Sequence, residues 1–149
     1  MAWRGAALNG AFVLACSVTM AWFFDGESTA VTDEILDHLN QSGSAIVPGH
    51  WPLEVTNTLL MGERRKRCTP ADSAHFMGIL SSLAIEVDRE TGSRAFSETF
   101  ALSRTHALTQ YDGAYLELAM RNKIPLATLD TELRKAAKKV GVECWPQRI

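Results

Sequence analysis

The chain has 149 residues, of which 46% are hydrophobic and 21% charged, and a formal net charge of −2. This length is typical of one domain, and the composition excludes a disordered or fibrous protein. The charge is uneven: residues 1–63 carry seven acidic groups and one basic group, net −6, and residues 64–149 carry ten acidic and fourteen basic groups, net +4.

The first predicted elements are a short strand and a helix. The apolar residues 12–14 predict the strand, and residues 17–24 predict the helix, which ends before Asp25 and Gly26. Residues 1–11 are predicted to be a flexible extension, and residues 12–149 to form a single domain.

A helix, a strand and a second helix are predicted next. Ser28 is the expected N-cap of a helix with apolar residues at spacings of three and four, ending at Gly43. Residues 45–47 predict the second strand, and a helix begins near Trp51 and ends in the basic residues 64–67. The inward side chains of this helix are predicted to be Val55, Leu59 and Leu60.

The clearest helix start lies in the middle of the chain. Thr69 as N-cap, a proline at the first helical position and Asp72 in the first turn predict a helix through Phe76, Ile79 and Leu83. Residues 85–87 predict a third strand.

The last part of the chain repeats the alternation of helices and strands. A helix with Phe96 and Phe100 comes first, and a helix capped by Thr109 follows. The remaining predicted elements are a strand at residues 124–128, a helix at 130–140 and a strand at 142–144. This order predicts an α/β fold with a mostly parallel central sheet and helices on both faces, an α/β/α sandwich.

Three carboxylates follow predicted strands or begin predicted helices. Glu54 comes soon after the second strand, Asp112 lies in the first turn of the helix capped by Thr109, and Asp130 follows the strand at 124–128. Each alone is typical of a helix N-terminus, where the dipole favours negative charge. Gathered at one sheet edge they would repel each other unless a cation neutralised them, and carboxylate oxygens favour Mg²⁺ or Mn²⁺. The first strand is followed by Ala15, where this geometry requires a fourth carboxylate.

The cysteines and histidines indicate no other metal site. The three cysteines are far apart and form no Cys-x-x-Cys pair, and the four histidines lack ligand spacing. A disulfide framework and a zinc knuckle are therefore excluded, and reduced thiols are expected.

Four segments in this order resemble PIN-domain ribonucleases, specifically the VapC toxins of bacterial type II toxin-antitoxin pairs. The segments are FVLACSV (12–18), PLEVTNTL (52–59), LTQYDGAYLELA (108–119) and IPLATLD (124–130). The resemblance extends from residue 12 to the end of the chain. It implies a Mg²⁺- or Mn²⁺-dependent endoribonuclease that cleaves tRNA or rRNA and arrests translation.

The resemblance also implies roles for individual residues. Glu54, Asp112 and Asp130 match the metal-binding, catalytic acids, and position 15 matches an aspartate of the family that is alanine here. Two explanations stay open for Ala15: a degenerate toxin, or an aspartate replaced so that a lethal ribonuclease could be produced. The retained acids favour the second, and in either case the chain is expected to be nearly inactive. Ser17, Asn57 and Thr128 are the expected supporting residues.

The partners implied by the resemblance are a cognate VapB-type antitoxin, the RNA substrate and a second copy of the chain. Promoter DNA is bound only through the antitoxin, and the location is the bacterial cytoplasm with no membrane contact. The basic run either follows the RNA backbone or is solvated; it consists of Arg64, Arg65, Lys66 and Arg67. The alternatives are a catalytically inactive antitoxin-binding protein and a PIN-type RNA-processing or repair nuclease.

A lipoprotein signal is the competing interpretation of the N-terminus, because Val13-Leu14-Ala15-Cys16 resembles its cleavage site. Only Arg4 provides a positive start, and Asn9 with Gly10 interrupts the apolar run. Export is therefore not expected.

Overall fold

A computed structural model describes residues 10–148 of the chain. Five parallel strands form one sheet in the order β3-β2-β1-β4-β5. The strands are β1 (Ala11–Leu14), β2 (Ser44–Val47), β3 (Ile85–Val87), β4 (Leu126–Ala127) and β5 (Cys144–Trp145). The helices are α1 (Cys16–Ala21), α2 (Ala30–Gln41), α3 (Trp51–Arg64), α4 (Pro70–Ser82), α5 (Thr91–Arg94), α6 (Glu98–His106), α7 (Gln110–Asn122) and α8 (Thr131–Lys139). The predicted α/β fold with a parallel central sheet and helices on both faces is confirmed.

The strand order reverses direction beside β1. The chain moves outward from β1 through β2 to β3, and then returns to β4 on the other side of β1 and continues to β5. Because parallel crossovers are right-handed, the two directions place their helices on opposite faces of the sheet. The carboxyl ends of β1 and β4 therefore lie at the switch point, where open α/β sheets bind ligands.

The central strand β1 forms the middle of the core. Phe12, Val13 and Leu14 are fully buried, and β1 pairs with β2 on one side and β4 on the other. Cleavage before Cys16 would remove this strand and split the sheet into the pairs β2–β3 and β4–β5. Residues 1–9 of the predicted extension lie outside the described residues, and β1 begins at Ala11.

Some local predictions were wrong. The N-cap of α2 is Thr29 rather than Ser28, because Thr29 and Thr32 exchange capping hydrogen bonds, whereas the Ser28 hydroxyl bonds to Asp33. Leu60, predicted to point inward, is 43% exposed. Apolar spacing alone could not distinguish the covered helix face from its flank.

The last two strands are shorter than predicted. Instead of residues 124–128, β4 contains only Leu126 and Ala127, because the amide of Ile124 bonds to the last turn of α7 through Ala119. The last strand, predicted at residues 142–144, begins two residues later and ends one residue later, at Cys144–Trp145. In residues 10–148, no helix combines the length and apolar character needed to cross a membrane.

Candidate active site

The junction between β1 and α1 places Ala15 at the switch point. Ala15 is 4% exposed, and its amide bonds to the carbonyl of Ala127 in β4. Its extended backbone (φ −80°, ψ 154°) is that of a helix N-cap, but α1 receives no side-chain cap there. Asp, Asn, Ser and Thr are the preferred N-caps, and alanine is among the poorest. The position where the sequence predicts a missing carboxylate is thus also a position where the helix lacks its cap.

Glu54 is held in the first turn of α3 by two aromatic residues. The hydroxyl of Tyr115 donates a hydrogen bond of 2.5 Å to Glu54 Oε1. The Nε2 atom of His50 lies 3.1 Å from the same oxygen, at ion-pair distance but without hydrogen-bond alignment. Although burial favours the neutral carboxyl, the contacts with His50 and Tyr115 lower the pKa of Glu54. Glu54 is therefore a fixed, charged carboxylate at neutral pH.

Tyr115 connects the two sides of the switch point. It belongs to α7, is 2% exposed, and reaches Glu54 of α3 across 61 positions of the sequence. Burial, followed by the neighbouring Glu54, raises the pKa of Tyr115, so the phenol remains a donor. Sequence reasoning placed Tyr115 only in the helix pattern. Its spacing of three residues from Asp112 places both residues on one helix face and is the signal that could have revealed it.

Asp112 and Asp130 approach the same region from α7 and from the start of α8. Thr109 caps α7 by accepting a hydrogen bond of 3.1 Å from the amide of Asp112. Burial, and after it the charges of Asp130 and Glu54, raises the pKa of Asp112. Asp130 is the N-cap of α8 but makes no side-chain cap bond. The three predicted acids are therefore near enough for their charges to interact.

Ser17 and Thr128 organise the loop that carries Asp130. Their hydroxyl oxygens are 3.3 Å apart, and Ser17 Oγ accepts a hydrogen bond of 3.0 Å from the amide of Leu129. Thr128 Oγ1 accepts a bond of 3.1 Å from the amide of Asp130. These hydroxyls join α1 to the β4–α8 loop and position the backbone at Asp130.

The other predicted site residues lie farther along α3. Asn57 is exposed, one turn beyond Glu54, in a surface groove with Leu53 and Thr56. Arg64 and the three basic residues after it are exposed at the opposite end of the helix, about 15 Å from Glu54 along its axis. The last of them is engaged, because the Arg67 guanidinium bonds to Glu27 at 2.9 Å and lies 4.1 Å from the centre of the Phe24 ring.

An ion network that sequence reasoning missed lies after β3. Arg121 donates two hydrogen bonds to Asp88, of 3.0 and 2.9 Å, and two to Glu117, of 2.9 and 3.0 Å. Both carboxylates are more than nine-tenths buried. Burial alone would raise the pKa of Asp88, but bonds from Arg121 and Thr91 lower it. Asp88 also follows a strand, yet the protein itself neutralises it.

The chemistry of the candidate site is that of carboxylate oxygens and not of a thiol. Cys16 follows Ala15, but burial and then the charge of Glu54 raise its pKa to about 11, so it is a neutral thiol rather than a nucleophile. All three cysteines are free, as expected. Within residues 10–148, no three His, Cys, Asp or Glu side chains are gathered into one metal-ligand set. The hard oxygen donors of Glu54, Asp112 and Asp130 suit Mg²⁺ or Mn²⁺ in type.

Comparisons with known proteins describe the fold only. No protein-family model matches the sequence, and a comparison with curated proteins finds no match. The chain is similar in structure to PAE2754 from Pyrobaculum aerophilum, a protein known from its crystal structure. The TM-score is 0.66, the sequence identity is 22%, and the similarity covers 91% of this chain and 92% of that chain. At this identity, the similarity shows a shared fold over nearly the whole of both chains.

Proposed function

We propose that the chain is the scaffold of a divalent-metal-dependent endoribonuclease of the VapC toxin type. One observation supports the proposal: Glu54 of α3, Asp112 of α7 and Asp130 at the start of α8 are near enough at the switch point for their charges to interact, and burial followed by Asp130 and Glu54 raises the pKa of Asp112. Carboxylates that only capped their helices would not need to share this region.

Glu54, Asp112 and Asp130 would hold Mg²⁺ or Mn²⁺. When bound, the cation would activate a water and offset charge on a phosphodiester. Tyr115 and His50 fix the Glu54 carboxylate, and the Ser17–Thr128 pair fixes the backbone of Asp130. The raised pKa of Asp112 reflects burial and then the charges of Asp130 and Glu54, which a bound cation would offset.

Ala15 leaves this set one carboxylate short. Its backbone already has the N-cap conformation, so an aspartate side chain there would both cap α1 and add an oxygen ligand at the switch point. In its present form the chain is proposed to bind metal weakly and to cleave RNA poorly.

The proposed partner is an antitoxin of the VapB type, in the bacterial cytoplasm. An apolar surface groove of about 430 Å³, formed by α3 and α4, suits a protein segment, since Leu53 is 73% exposed in it and Met77 43%. An antitoxin arginine could neutralise the acidic site in place of the metal. Because Ala15 does not affect this groove, antitoxin binding without cleavage is the second candidate function of the chain as it stands. Homodimer formation, promoter DNA contact through the antitoxin, and RNA contact by residues 64–67 belong to the same proposal.

The decisive experiment compares Ala15→Asp with Ala15→Asn. Both side chains can cap α1, so each is expected to stabilise the metal-free fold relative to alanine, with a cap worth about 1 kcal/mol. The aspartate gain should be the smaller one, since it adds a charge to an acidic site. Only Ala15→Asp is expected to cleave RNA with Mg²⁺ or Mn²⁺ and to stop when a chelator is added.

Thermal unfolding with added Mn²⁺ tests metal binding independently of RNA cleavage. A rise in Tm only for Ala15→Asp supports the ligand assignment. Equal behaviour of Asp and Asn, with neither cutting RNA, would remove the metal-dependent nuclease and leave the binding function.

A further inference from the structure

An exposed aromatic side chain borders the carboxylates and has no role in the site described so far. Tyr111 immediately precedes Asp112 in the first turn of α7 and is 64% exposed, whereas Tyr115, one turn later, is 2% exposed. The Tyr111 ring therefore does not belong to the core. An aromatic ring open to solvent beside a catalytic residue is available to a ligand.

His50 connects the Tyr111 ring to the acidic site. The ring centres of His50 and Tyr111 are 5.5 Å apart with a tilt of 55°, and those of His50 and Tyr115 are 5.2 Å apart at 71°. His50 also lies 3.1 Å from Glu54. An aromatic row thus leads from the buried Tyr115, through His50, to the exposed Tyr111, and it begins at a carboxylate of the site.

The other exposed aromatic residues lie elsewhere. Phe96 and Phe100 belong to the α5–α6 region, and the guanidinium of Arg104 lies 4.5 Å from the centre of the Phe100 ring. None of the described ring contacts joins them to His50 or to the carboxylates. Tyr111 is therefore the exposed aromatic side chain placed to meet a group bound at the acidic site.

We propose that Tyr111 stacks on an unpaired nucleobase next to the scissile phosphate. This inference rests on the proposed nuclease function and adds a base-contacting residue beside its acidic site. Stacking on an aromatic face requires the base to be free of its own stack, and such contacts are worth about 1–3 kcal/mol per base. A base pair in a duplex keeps its faces covered and would not reach Tyr111.

The test measures stacking separately from cleavage. A short single-stranded oligoribonucleotide carrying the fluorescent base 2-aminopurine is titrated with the present Ala15 chain in the presence of a chelator. Stacking on Tyr111 is expected to quench the fluorescence. Tyr111→Ala should weaken binding about tenfold and abolish the quenching, and Tyr111→Phe should retain both, because the ring and not the hydroxyl makes the contact. Phe100→Ala is the matched control and should change neither quantity.

The second arm uses the Ala15→Asp protein and Mg²⁺. Single-stranded RNA should be cleaved well and the same sequence in a duplex poorly, and Tyr111→Ala should reduce cleavage of the single strand. If Ala15→Asp cleaves RNA but quenching is the same in Tyr111→Ala, the stacking inference is wrong and the nuclease stands. If no form cleaves RNA but quenching depends on Tyr111, the nuclease is wrong and a base-binding surface remains. Equal binding of single strand and duplex would also overturn the inference.

Discussion

The first turns of α4 and α7 share one sequence pattern and differ in their electrostatics. Each helix is capped by a threonine, Thr69 or Thr109, and carries an aspartate three residues later, Asp72 or Asp112. Asp72 is exposed and accepts a hydrogen bond of 2.9 Å from the amide of Thr69, and this bond together with the Thr69 hydroxyl lowers its pKa. Burial, Asp130 and Glu54 raise the pKa of Asp112.

The difference shows that the local pattern identifies the helix start but not the task of its acid. The aspartate in α4 completes a capping box, so local backbone groups satisfy its charge. The aspartate in α7 faces other carboxylates contributed by residues far away in the sequence. A first-turn carboxylate whose charged form is destabilised by the fold is a candidate functional residue, because binding a cation or a proton there would relieve the repulsion.

Asp88 extends the comparison of Asp72 with Asp112, because an arginine of the protein neutralises its charge. We expect Arg121→Met to lower the free energy of unfolding by roughly 3–5 kcal/mol, since it leaves the buried Asp88 without its arginine and Glu117 with the more distant Arg94, at 3.6 Å. Urea unfolding measures the change, and Arg104→Met, at an exposed arginine, is the control. A loss as small as that of the control would show that the network is screened by water.

The largest effect on activity is expected at the aspartate in α7. In the Ala15→Asp protein, Asp112→Asn should reduce metal-dependent RNA cleavage by at least about 100-fold, because a charged metal ligand is lost. Asp72→Asn in the same protein should leave the cleavage rate unchanged. Single-turnover kinetics with RNA provide the measurement. Equal effects of the two substitutions would make Asp112 another capping acid.

The two threonine caps are expected to behave alike. Thr69→Ala and Thr109→Ala each remove a side-chain acceptor from a helix N-terminus, with an expected loss of about 1 kcal/mol of unfolding free energy. Chemical denaturation of both variants measures the losses. A much greater loss at Thr109 would mean that this cap also holds the acidic site together, and that the shared pattern is not energetically equivalent.

The smallest expected effect has opposite signs in the two helices. Without metal, Asp112→Asn should raise Tm slightly at neutral pH, and Asp72→Asn should lower it. The raised pKa of Asp112 means that its charge opposes folding, and the penalty appears as pH rises through that pKa. The lowered pKa of Asp72 means that its charge favours folding, and this contribution is lost as pH falls through that pKa.

Thermal unfolding from acidic to neutral pH checks both signs. The gain from Asp112→Asn should shrink toward acidic pH, where Asp112 is protonated, and so should the loss from Asp72→Asn. A destabilising Asp112→Asn at neutral pH would contradict the electrostatic account of the site.

Much of the architecture could be predicted because it depends on neighbours in the sequence. Apolar runs predicted β1 and β2, and the Thr69-Pro70 start predicted α4. Predictions were wrong where more distant contacts decided the outcome: Leu60 remains exposed on the flank of α3, and the amide of Ile124 completes the end of α7 and shortens β4.

The residues of the candidate site were also only partly predictable from the sequence. Glu54, Asp112 and Asp130 could be chosen from their positions after strands and at helix starts. Tyr115 and Arg121 could not, because their roles depend on partners contributed by other elements: Glu54 for the tyrosine and Asp88 for the arginine.

The sequence by itself determined the α/β class, the threonine-capped starts of α4 and α7 and the three candidate acids, because hydrophobic spacing and capping act over a few residues. Only the tertiary structure decided the strand order, the switch point beside β1 and which acids face each other. Carboxylates interact through space, so the same Thr-x-x-Asp pattern produces a cap in α4 and a candidate site residue in α7. The burial of Ala15 at that point likewise follows from β1 lying between β2 and β4.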